Sequence, residues 1–171
     1  HTELHAGPAG THDVAEGRAP IDLMEMTREV AAWKRQDGVN AVVVHQNELV
    51  ERVWGVRSLI EAVIAGLIDM LWEHLPSASE VRIRVEWAAA KSVSVEIYEE
   101  GYGVPQDALD AAISELSTAD DDPVVLGPSD LGNLTLRQIR HIVTDVHAGK
   151  ITCESHLGRG MKFSMSFRTV L

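Results

Sequence analysis

The chain has 171 residues and carries 26 acidic against 15 basic side chains, a formal net charge of −11. Hydrophobic residues make up 45% and charged residues 24%, the balance of a globular domain long enough to bury a core without metal or disulfide staples. Phosphate backbones and anionic membrane surfaces would repel so acidic a chain, so neither nucleic acid nor membrane is expected as a partner. Its lone Cys153 cannot form an internal bridge and fits a reducing, cytoplasmic setting.

Residues 1–20 are rich in Gly, Pro, Ala and Thr, lack apolar periodicity and read as a flexible lead-in; His1, His5 and His12 within it read as inert rather than as metal ligands. The start at His1 reads as the edge of a fragment of a longer protein. The domain proper is expected over residues 21–171. Leu23, Met26, Val30 and Trp33 recur at helical spacing, with Asp22 as start signal and Gly38 as stop. Residues 41–44 read as a short buried strand. Residues 59–74 form a helix apolar on nearly every side, and therefore central. Residues 81–87 and 93–97 alternate apolar with polar letters and predict an antiparallel pair with one wet face. A short helix over 106–116 precedes a loop over 117–130 that holds Asp120, Asp121 and Asp122; in a loop such a run reads first as solvated charge. Leu136, Ile139, Val143 and Val146 mark an amphipathic helix closed by Gly149, and strands over 150–155 and 162–169 end the chain. The predicted fold class is α+β, a two-layer sandwich of a mixed, mainly antiparallel sheet covered on one face by helices.

Three ungapped segments carry a family resemblance. The segment His147-Ala-Gly-Lys-Ile-Thr-Cys-Glu-Ser-His-Leu-Gly-Arg-Gly-Met-Lys-Phe resembles the ending H-G-G-x-I-x-x-x-S-x-x-G-x-G-T-x-F of sensor histidine kinases. Residues 55–74 resemble that family's G-D-x-x-x-L-x-x-x-x-x-N-L-x-x-N-A-x-K-H helix at Gly55, Ile60, Leu67 and His74, and Ile97-Tyr-Glu-Glu-Gly-Tyr-Gly-Val-Pro resembles V-x-D-N-G-x-G-I-P. The chain is thus similar to the catalytic, ATP-binding domain of histidine kinases, a branch of the GHKL ATPases. The resemblance implies binding of ATP, transfer of its γ-phosphoryl group to a histidine on a separate helical hairpin, and a response regulator as partner in a two-component system. An H-E-x-R-x-P acceptor motif is missing; His45-Gln-Asn-Glu begins like one but lacks its Arg and Pro.

The same resemblance points to Gly66, Met70, Glu73, His74, Glu99, Gly101, Gly103, Gly132 and Lys162 as the nucleotide-binding positions, and several differ from the family's letters. Two asparagines, one a magnesium ligand, are replaced by Gly66 and Met70, and a thioether is a poor ligand for a cation that demands oxygen. Magnesium is therefore the cofactor least well served. Asp69 is adjacent but about 100° away around a helix. Glu73 puts negative charge where a lysine near the phosphates is usual. Glu99 stands for the adenine-reading aspartate, one methylene longer; the plain reading of Glu99-Glu100 is an exposed strand end. Ile113 and Leu116 stand for two phenylalanines that pack the lid. Lys162 reads either as a phosphate ligand or as a strand-edge lysine. Three readings remain open: a kinase domain of weak or lost activity, a pseudokinase that binds partners and no nucleotide, and a nucleotide binder independent of magnesium.

Overall fold

A computed structural model describes residues 17–44, 50–75, 79–89, 91–100, 105–117, 123–156 and 160–170. Strand β1 (Arg18–Ile21) leads into helix α1 (Leu23–Gln36); β2 (Ala41–Val43) and β3 (Val53–Val56) follow, then α2 (Arg57–Trp72). Strands β4 (Val81–Ala89) and β5 (Ser92–Tyr98) form a hairpin, then come α3 (Gln106–Ser117) and a 3-10 turn (Pro128–Gly132). Helix α4 (Leu136–Arg140) widens into a π turn (His141–Val146), and β6 (Lys150–His156) and β7 (Gly160–Arg168) close the chain.

The five-stranded sheet has the order β2-β4-β5-β7-β6, parallel between β2 and β4 and antiparallel elsewhere. Alternation decides its two faces. Val81, Ile83, Val85, Val93, Val95, Ile97, Phe163, Met165 and Phe167 are all buried, while their even-numbered neighbours Arg82, Arg84, Ser94, Glu96, Ser164 and Ser166 line the outer face. The helices supply the other half of the core. Leu59, Ile60, Val63, Ile64, Leu67, Ile68 and Leu71 of α2 are fully enclosed, as the all-round apolar pattern requires. The α+β sandwich and its mixed sheet are as the sequence predicts.

Three differences have local causes. The chain enters β1 at Arg18, inside the stretch read as a lead-in. There β1 pairs antiparallel with β3, Pro20 opposite Trp54, and forms a second, two-stranded sheet that the sequence does not announce. Trp33, at helical spacing with three core residues, is 49% exposed, since α1 turns only Leu23, Met26, Thr27, Val30 and Ala31 inward. Ile113 is likewise exposed while Leu116 is buried. The Asp22 carboxylate caps α1 by accepting from Glu25 N–H at 3.1 Å, and Thr135 with Gln138 forms a reciprocal capping box at α4. The sulfur of Cys153 lies in the core, and burial, with Glu154 beside it, pushes its thiol up to about 12, which makes it unreactive. No helix among the described residues is long and apolar enough to cross a membrane.

His147 joins the two sheets. Its Nε2 accepts from the backbone N–H of Val56 at 3.0 Å, which leaves Nδ1 as the protonated nitrogen, donating to the Ile142 carbonyl at 2.7 Å. The widened turn brings that carbonyl within reach of both the ring and the His147 N–H, at 3.2 Å. The ring meets Phe167 edge-on, centroids 5.9 Å apart. A Cβ at Gly55 would fall 2.9 Å from His147 Cδ2 and 2.7 Å from Ile60 Cδ1, so only glycine leaves room. At Gly149 a Cβ would lie 2.2 Å from the Ser166 carbonyl, which does not yield; between the two, Ala148 is held at φ 52°.

Two measurements follow from this corner. Gly149→Ala is expected to cost about 3 kcal/mol or more through backbone displacement, whereas Ala148→Gly, relieving a left-handed alanine, should gain about 0.5–1 kcal/mol; urea unfolding of both variants checks the sign of each. Burial holds His147 below its ordinary 6.5, with the Ile142 bond opposing and Arg18 adding to the fall. Its neutral form therefore stabilises the fold fully above pH 6.5, and that contribution is lost as pH falls below 6.5 and through the lowered value of the folded state. The expected slope is at most about 1.4 kcal/mol per pH unit, and it should flatten in His147→Gln.

Candidate functional site

The residues that the resemblance singles out lie on and just after α2, at the end of β5, near the start of β7 and in the loop before α4. On α2, Gly66 and Met70 lie one turn apart. A Cβ at Gly66 would rest 3.6 Å from Ile139 Cδ1, an ordinary contact, so this position faces α4 and has room for a side chain. Met70 is partly buried and packs on the core. Glu73 caps the end of α2 and is exposed, 3.6 Å from the ring nitrogen of His74, which is less exposed. Asp69, next to Met70 on this helix, is turned elsewhere: its carboxylate pairs with Lys34 of α1 at 2.7 Å. Neither Gly66 nor Met70 presents a side-chain oxygen, and Asp69 is engaged with Lys34, so these positions of α2 do not fit magnesium. No group of three or more His, Cys, Asp or Glu among the described residues could hold a metal ion.

Glu99 is not an exposed strand end. It is fully enclosed, and one carboxylate oxygen accepts from the Met161 N–H at 2.8 Å while its own N–H donates to the Met161 carbonyl at 3.2 Å. The side chain thereby extends the β5–β7 ladder by one rung. This bond fixes the orientation of the Glu99 carboxylate. Glu100 is also engaged, accepting from Arg82 of β4 at 2.7 Å, and Arg82 shares its guanidinium with Glu80 at 2.7 Å.

Lys162 is engaged on the outer face of the sheet. Its ammonium sits 3.3 Å from Glu96 and 3.4 Å from Glu154, bridging β5, β7 and β6 across the outer face. Burial lowers its pKa, but the two carboxylates outweigh burial and hold it above its usual value. In the loop before α4, Gly132 is exposed with open space around it. Gly127 is closed on its own turn: its N–H donates to the Asp130 carboxylate at 2.8 Å, and Asp130 N–H returns to the Gly127 carbonyl at 3.0 Å. Gly101, Gly103, the Asp120 to Asp122 run and His45 lie outside the described residues. Sequence reading missed the backbone partner of Glu99 and the α1 partner of Asp69. Both are long-range, and neither leaves a local signal.

The family profile described as histidine kinase-, DNA gyrase B-, and HSP90-like ATPase matches residues 55–170. Among solved structures, the nucleotide-free catalytic domain of histidine kinase ThkA superposes with a TM-score of 0.66 at 21% identity, covering 89% of this chain and 95% of that one. ThkA in complex with the response regulator TrrA gives 0.65 at 22% identity, over 90% of this chain and 42% of that one. The ATP-binding domain of PrrB from Mycobacterium tuberculosis gives 0.63 at 12% identity, over 91% and 99%. At these identities the likeness is one of fold. None of the curated proteins matches the chain.

The Glu99 contact separates two effects that one substitution would confuse. Glu99→Ala strands the buried Met161 N–H and is expected to cost about 1–3 kcal/mol; Glu99→Gln keeps a carbonyl oxygen for that N–H and should lose much less. Thermal unfolding of the pair checks this, and equal losses would contradict the assigned bond.

Proposed function

This chain belongs to the histidine kinase-, DNA gyrase B-, and HSP90-like ATPase family, and we propose that it serves as the ATP-binding-type domain of a two-component sensor histidine kinase in which magnesium-dependent phosphoryl transfer is weak or lost. The observation that carries the reading is the state of α2. Gly66 and Met70 supply no oxygen, and Asp69 is tied to Lys34. Phosphoryl transfer rests on positioning and on cations that neutralise charge in the transition state, and at Gly66 and Met70 this helix offers neither a metal ligand nor a positive side chain. Glu73 adds a like charge for a polyphosphate.

The fold-level likeness to histidine-kinase catalytic domains supports the signalling context. ThkA was crystallised with a response regulator, and for this chain a response regulator or a phosphoacceptor hairpin is the corresponding partner, in a cytoplasmic setting. ATP is the implied nucleotide, and the enclosed carboxylate of Glu99 is the group that would read its purine amino group. A second reading, an inactive interaction module that binds no nucleotide, draws on the Gly127–Asp130 turn. There the chain's own carboxylate already takes an N–H of the kind that would cradle phosphate.

Titration calorimetry with ATP and ADP, in magnesium and in EDTA, tests both. The expected result is nucleotide affinity that is the same in the two buffers, with no phosphate transferred to a histidine-kinase hairpin. Micromolar binding that requires magnesium overturns the proposal of weakened chemistry, and no heat up to millimolar nucleotide selects the interaction module.

A further inference from the structure

At the opposite end of the sheet from Glu99, the β4–β5 turn, the Ala148–Gly149 corner and the end of β7 enclose a cleft of about 540 Å³. Three cations line it: Lys91, Lys150 and Arg168. None has an ion-pair partner among the described residues. The contrast with the rest of the outer face is sharp, because there Arg82, Arg84 and Lys162 are all paired with Glu80, Glu100, Glu96 or Glu154. In a chain with 26 acidic residues against 15 basic ones, three unpaired cations around one cleft without a lining carboxylate are not the arrangement that charge balance favours.

Strand register explains why they converge. Ser92 of β5 pairs with Arg168 of β7, and Lys150 of β6 pairs with Ser166 of β7, so Lys150 and Arg168 stand on one face, about 8 Å apart by strand geometry. The hydroxyls of Ser92 and Ser166 lie on the same face. The nearest carboxylate in that row of the sheet, Glu86, stands opposite Ser94, three strands from Lys150. The walls are also fixed. Thr169 N–H donates to the Lys91 carbonyl at 2.9 Å, and Gly149 N–H to the Val143 carbonyl at 2.8 Å. Lys91 and Ala148, the non-glycine residues with positive φ among those described (65° and 52°), both line the cleft. Strained backbone of this kind persists where surrounding structure holds it, and it concentrates at binding sites.

We propose that this cleft binds a small oligoanion, bearing two or more phosphate or carboxylate groups, through Lys91, Lys150 and Arg168 with the hydroxyls of Ser92 and Ser166. The site is separate from the nucleotide end of the domain and does not rest on its chemistry. Its volume lies in the range of small-molecule pockets, and cations of this kind form charge-assisted bonds to each anionic group.

The test is a titration of the isotopically labelled chain with pyrophosphate and, in parallel, with citrate, both without magnesium and at constant ionic strength, followed by amide chemical shifts. Saturable shifts at Ser92, Gly149, Lys150, Ser166 and Thr169, with millimolar affinity or tighter, are the expected result. The stronger of the two anions identifies phosphate or carboxylate as the natural chemistry. Lys150→Ala with Arg168→Ala should weaken binding at least tenfold, and Lys91→Ala alone should weaken it measurably, with unfolding temperatures unchanged because all three side chains are exposed. Arg57→Ala, an exposed cation of α2, should leave binding intact. No saturable shift at these amides with either anion, or shifts that survive the double substitution, would overturn the proposal.

Discussion

The ring of His147 is the constraint on which the rest of this fold depends. The two-stranded sheet and the widened end of α4 must meet at one corner, and each brings a backbone group to the ring. The Val56 N–H heads α2 without any side-chain cap, and the Ile142 carbonyl opens where the helix widens. A neutral imidazole satisfies both at once, one nitrogen accepting and the other donating. A charged ring could not accept from Val56. The surrounding residues are explained by the ring: Gly55 leaves space for it, Phe167 meets it edge-on, and the guanidinium of Arg18 holds the adjoining Val146 carbonyl. The π turn is then a structural consequence of delivering one carbonyl to two donors, and it requires no separate functional explanation.

Much of the architecture is legible in the sequence because burial imposes a period. The alternation in β4, β5 and β7 and the apolar girth of α2 leave few arrangements besides a helix layer on a sheet. What escaped notice is instructive. Strand β1 reads Arg-Ala-Pro-Ile and β3 reads Val-Trp-Gly-Val, too short for a period to declare itself. Moreover Gly55 belongs to a motif that begins the following helix, so motif reading drew it one element too far. These strands exist because they pair with each other and because Val53 bridges to Thr169, the latter a contact more than a hundred residues distant in the chain. The candidate site was legible as positions but not as geometry. That Asp69 leans towards α1 follows from Lys34, and that Glu99 turns to β7 follows from Met161; nothing in the letters around either residue encodes its partner.

The altered residues on α2 also fit a simple trade between chemistry and packing. A pair of buried or half-buried amides in an apolar helix is costly unless a ligand or a partner satisfies them. Met70 instead adds apolar contact to the core, and Gly66 lies against Ile139 with nothing polar to satisfy. Met70 thus contributes packing where an unsatisfied amide would cost, while Gly66 avoids that cost at the expense of helix propensity. Gly55, Gly149 and His147 are not interchangeable in this way. Their removal would disturb the corner where the two sheets meet, which is a physical reason for these letters of the resemblance to be present.

Strand β7 connects the two ends of the domain, with Met161 bonded to Glu99 at one end and Ser166 and Arg168 beside the basic cleft at the other. Its nine residues span about 27 Å. A ligand at one end could in principle be felt at the other by a shift along the strand, but such a shift is forbidden. Moving β7 by one residue would exchange Phe163, Met165 and Phe167 with Lys162, Ser164 and Ser166, turning cations and hydroxyls into the core. Gly149, with the Ser166 carbonyl against its Cα, adds a second lock on the same register. Any influence between the ends must therefore pass through rigidity, by tightening or loosening the corner that His147 holds, because translation of the sheet is unavailable to this sequence.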